Sequence, residues 1–188
     1  IPKTLFNEEH IADYLKFNTR ILQSDYITYD DILANESVNV YIPYVNINNF
    51  LYDTFGTFEF KHFSTILIDS LLVQERNSED LKMYVHVAKN HFEIIVIDSG
   101  KLILYNSYEH QTKEDFIYYI LFVAEQLELN PEAFKLILMG NITKNDAYFN
   151  MAYKYVRHVM VENTSSLYKY SNSIEESINS NPIILHSF

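Results

Sequence analysis

The sequence contains no cysteine and no tryptophan, only three glycines and only four prolines. Without cysteine there is no disulfide framework, no thiol nucleophile and no cysteine-ligated zinc. That composition fits a cytoplasmic protein. The three glycines, Gly56, Gly100 and Gly140, stand against an average usage of about 7%. Phosphate-binding loops depend on glycine, because backbone N–H groups come close to phosphate only where side chains are absent. No P-loop or Rossmann pattern occurs, and no G-x-S-x-G elbow.

Basic charge is also scarce. Fourteen Lys and Arg face 25 Asp and Glu, for a formal net charge of −11. A field of that sign disfavours nucleic acid and anionic lipid, and no basic cluster resembles a phosphate-tracking groove. No nucleic-acid or membrane partner is expected. No run of apolar residues is long enough for a transmembrane helix, and no signal peptide is visible. The chain begins with Ile1 rather than Met, which reads as a fragment or a processed form. Sequons at Asn35, Asn141 and Asn163 are expected to be coincidental in an Asn-rich chain.

What is present is clearest from Lys82 to Ser107. Met83, Val85 and Val87 alternate with Tyr84, His86 and Ala88, the period of a strand. Phe92 to Ile97 is apolar on both faces, as in a strand covered on both sides. Ser99-Gly100 is a two-residue hairpin signal, and Leu102 to Tyr105 completes an antiparallel meander. Downstream, Thr112 to Asp115 has the form of a capping box. Phe116, Ile120, Val123, Ala124 and Leu127 then follow at helical spacing. Phe134 to Met139 reads as a buried strand, Thr143 and Asp146 as a second capping box opening a helix to about Tyr155, and His158 to Glu162 as a strand. A weak helix is expected near Ser173 to Ile178.

Upstream, the expectations are a helix from Glu8 to Phe17 capped by Asn7, strands at Tyr26 to Ile32 and Val38 to Ile42, and a helix from Asn46 to Phe55. That helix is followed by Gly56, a strand from Phe58 to His62 and a buried helix from Ser64 to Gln74. Polar residues from Arg76 to Asp80 mark a boundary.

The order from Lys82 is β-β-β-α-β-α-β, the plan of the ribonuclease-H-like fold, which the actin-like ATPases carry twice. The stretch Val38 to His62 has the same order as Phe134 to His158, displaced by 96 positions. The expected fold class is therefore α/β, with ribonuclease-H-like or actin-like ATPase architecture and mixed sheets. Residues 1–80 are expected to form the C-terminal part of a first, incomplete unit, and 81–188 a second. The stretches IPKTLFNEEHIADYLKFN (1–18), VNVYIPYVNINNFLYDTFGTFEFKH (38–62) and NPIILHSF (181–188) resemble a bacterial domain-of-unknown-function family. Members of that family are similar to the actin-like ATPase fold and extend further at both ends. The resemblance implies a fold and brings no catalytic residues.

An actin-like fold makes ATP with Mg the first cofactor to weigh. The strand–turn–helix at Leu138-Met139-Gly140-Asn141 resembles an adenosine-side turn, with one glycine where two are expected. Gly140 and Asn141 are therefore the candidate cofactor-binding residues, against the plainer reading of a strand exit before a capped helix. The hairpin at Lys89-Asn90-His91, where a phosphate loop would lie, has no glycine. Asp98-Ser99-Gly100 reads as an Asx-assisted turn rather than a metal loop. A nuclease needs an acid on the first meander strand, and Met83 to Lys89 has none. The seven histidines form no H-E-x-x-H; His62, at a strand end, is the one with a place near a cleft. No catalytic or metal-binding set is expected.

With 29 Tyr and Phe, the composition suits a protein–protein surface, since Tyr gives large contact area at small entropy cost. Tyr44, Tyr52, Tyr118, Tyr119, Tyr168 and Tyr170 are candidates for exposure. The leading expectation is a non-catalytic or degenerate actin-like-fold module that binds a protein partner or itself. The alternative is an atypical ATP-binding protein with phosphate loops outside this sequence.

Overall fold

The computed structural model describes residues 1–16 and 19–162. The chain forms two compact units, Ile1 to Val73 and Gln74 onward.

The first unit opens with short 3₁₀ turns rather than the expected α-helix over Glu8 to Phe17. Glu8–Tyr14 is a 3₁₀ segment kinked at His10, and it buries no residue. A short helix without a buried face lacks the packing that most helical stability comes from. Asn7 does cap it, accepting from the Glu9 N–H at 2.9 Å. Tyr14 ties the turn down by donating to the Leu5 carbonyl and accepting from the Asn7 N–H, both at 2.8 Å. β1 (Thr28–Ile32) and β2 (Ser37–Tyr41) form an antiparallel two-stranded sheet. α1 (Val45–Phe55) ends at Gly56, whose φ of +83° and N–H bond to the Tyr52 carbonyl close the helix. Phe58 to His62 is not a strand. Its Phe-x-Phe alternation places Phe58 and Phe60 rings 6.1 Å apart, but the His62 N–H goes to the Asp30 side chain instead of a ladder. α2 (Phe63–Glu75) follows, with Leu67, Ile68, Leu71 and Leu72 buried.

The second unit is built on a five-stranded mixed sheet of β3 (Leu81–Val87), β4 (His91–Asp98), β5 (Lys101–Glu109), β6 (Lys135–Gly140) and β7 (His158–Val161), in the order β5-β4-β3-β6-β7. The meander β3–β4–β5 is antiparallel, and β6 runs parallel to both β3 and β7. α3 (Lys113–Gln126) and α4 (Ala147–Tyr155) are the two crossovers. The observed order is thus βββαβαβ. Ser99 at φ +51° and Gly100 at φ +72° form the β4–β5 turn; two positive φ values define the type I′ turn that matches strand twist. Met83, Val85 and Val87 of β3 join Phe92, Ile94 and Val96 of β4 in one core with Phe116, Ile120, Val123 and Ala124 of α3. Ile95 and Ile97 on the opposite side of β4 are equally buried, which is why this strand reads as apolar throughout.

The capping box at Thr112 and Asp115 is formed. The one expected at Thr143 is not. The Asp146 N–H bonds the Thr143 carbonyl at 3.0 Å, so the chain is still turning there. Asp146 itself becomes the N-cap of α4, accepting from the Tyr148 N–H. The helix expected near 173–178 lies outside the described residues. Among the described residues no helix is long and apolar enough to cross a membrane.

Candidate functional site

The candidate turn lies where β6 ends beside β3, with Gly140 paired to Val87. Gly140 adopts φ +84°, and a Cβ there would lie 2.6 Å from the Val87 carbonyl oxygen and 3.0 Å from His86 Nε2. Close backbone approach, together with the left-handed conformation, demands glycine here. The turn directs its own N–H groups inward: Asn141 N–H donates to the Val87 carbonyl at 2.8 Å and Ile142 N–H to the Gly140 carbonyl at 2.9 Å. The Asn141 side chain is exposed. In the β3–β4 turn, the Ala88 N–H is bonded to the His91 carbonyl and the Asn90 carbonyl accepts from the His110 N–H.

Beside this turn a buried carboxylate sits between two imidazoles. Glu93 Oε2 lies 3.0 Å from His86 Nδ1, and its Oε1 lies 3.3 Å from His91 Nε2. The Glu93 and His86 side chains are 4% and 9% exposed, while His91 is 50% exposed. The two histidines take opposite oxygens of Glu93, so the three groups do not converge on one point. Among the described residues no set of three or more His, Asp or Glu is placed to hold a metal ion. His110 is buried against Phe92, Phe116 and Tyr148. Its Nδ1 faces the Tyr148 hydroxyl at 3.3 Å, while among the described residues its Nε2 has no hydrogen-bond partner.

Further along β3, Glu75 accepts from the Tyr84 hydroxyl at 2.6 Å and from Lys82 Nζ at 2.5 Å. Burial by itself raises the Glu75 pKa. Hydrogen bonds from Lys82, Tyr84 and Ser78, with the Lys82 charge, outweigh it and hold the group below the ordinary carboxylate value. Tyr84 is pushed up by burial, by its bond to Glu75 and by the charges of Glu75 and Glu162.

In the first unit, Asp30 gathers three donors. Its Oδ1 accepts from the Tyr41 hydroxyl at 3.0 Å, and its Oδ2 from the His62 N–H at 2.7 Å and the Thr65 hydroxyl at 2.8 Å. His62 Nδ1 lies 2.7 Å from Ser64 Oγ and accepts the Ser64 N–H at 3.1 Å. Asp, His and Ser are thus neighbours, yet Asp30 holds the His62 backbone rather than its ring, and Ser64 is buried. A nucleophilic triad needs the acid on the ring and the hydroxyl within reach of substrate. This arrangement caps the N-terminus of α2, with the Asp30 carboxylate at the positive end of the helix dipole.

Of the candidate site residues, Gly140 and Asn141 lie together at the turn that follows β6. The His86–Glu93–His91 group had a sequence signal, because period-two strands joined by a short turn set His86 opposite Glu93. The Asp30 network had none, since it joins distant segments; the Glu75 network joins near neighbours in sequence, but across a helix end and a strand, where neither period applies.

The profile of one protein family, described as "Protein of unknown function (DUF3822)", matches residues 1–159. The chain belongs to the DUF3822 family. No curated protein matches it. Among solved structures it is similar to a protein of Bacteroides thetaiotaomicron VPI-5482, described as having an actin-like ATPase fold and unknown function. The two share 28% sequence identity with a TM-score of 0.79, over 94% of this chain and 66% of that one. This DUF3822 chain therefore spans just under two thirds of that protein, and its mixed α/β architecture is that of an actin-like ATPase fold neighbour.

Proposed function

We propose that this DUF3822 chain is a non-catalytic member of the actin-like group, serving as a cytoplasmic binding or scaffold module. On this reading residues 1–80 are the C-terminal part of one ribonuclease-H-like unit and 81–188 are a second. The observation that carries it is the turn after β6. Val87 occupies the space that Gly140 leaves, and the N–H groups of Asn141 and Ile142 are already bonded within the protein. A nucleotide cradle needs such groups turned toward the ligand. The residues present do not fit ATP there. A fold shared with ATPases does not by itself confer their chemistry.

A second reading, an atypical ATP-binding protein with phosphate loops outside these residues, is favoured by the 66% coverage of the longer relative. Thermal unfolding of the full-length protein with Mg-ATP or Mg-ADP separates the two. A ligand that binds only the folded state raises the midpoint with the logarithm of its concentration. The proposal expects no shift up to millimolar nucleotide. A concentration-dependent rise with Mg-ATP contradicts it and supports the second reading.

A further inference from the structure

We draw no further inference here: the strongest candidate, the buried His110 that follows β5 and packs against Phe92, Phe116 and Tyr148 with an Nε2 that has no hydrogen-bond partner among the described residues, carries nothing because nothing in the structure shows what that nitrogen faces.

Discussion

Gly140 combines a left-handed backbone with a neighbour that leaves no room for a methyl group. A Cβ 2.6 Å from the Val87 oxygen forces β3 and β6 apart at their ends and breaks the Asn141 N–H bond. Gly140→Ala is expected to cost about 2–4 kcal/mol, read as a lower urea midpoint. An unchanged midpoint would mean that the β6 turn is looser than described. Glu75 and Asp69 give pH effects of opposite sign. Glu75 is held below its ordinary value of 4.5, so its contribution is complete above that value and is lost as pH falls through the depressed one. Glu75→Gln is expected to cost about 2–3 kcal/mol at neutral pH, and its deficit should shrink in urea titrations run below pH 4.5. Asp69 is pushed above 3.8 by burial, which Lys61 partly offsets and Asp30 reinforces. Its folded form binds the proton more tightly, so its contribution is present at low pH and lost as pH rises through the raised value. Asp69→Asn is expected to raise the melting temperature at neutral pH and not below pH 3.8.

At the scale of the element, the second unit obeys local rules closely. α3 starts at a reciprocal capping box, and Thr112→Ala is expected to cost about 1 kcal/mol, measurable by chemical denaturation. The same closeness made this unit legible in the sequence. The meander, the Ser99-Gly100 turn and α3 each rest on contacts within a few residues, and their signals are local. The first unit was harder to read. Phe58 to His62 alternates like a strand, but its outcome was decided by Asp30, about thirty positions earlier. Glu8 to Phe17 patterns as a helix, but Glu8–Tyr14 buries no residue and settles as a kinked 3₁₀ segment. Thr143 and Asp146 had the spacing of a capping box, while a local turn used the Thr143 carbonyl first. The candidate site was legible to a similar degree. The location of Gly140 followed from the strand–turn–helix order, whereas its close neighbour, the Val87 carbonyl, came from a parallel pairing that no local pattern records.

Over the whole molecule, membership of DUF3822 and likeness to an actin-like ATPase fold fix the architecture and leave the chemistry to the site. The β6 turn is closed upon β3 and the β3–β4 turn carries no glycine, and both support the proposed non-catalytic reading. The most direct test of that account is calorimetric titration of Mg-ATP into the folded full-length protein, with Mg-ADP as control. The account predicts no binding heat up to millimolar nucleotide. Saturable binding at micromolar affinity, abolished by substitution at Gly140 in a variant that still folds, would contradict it.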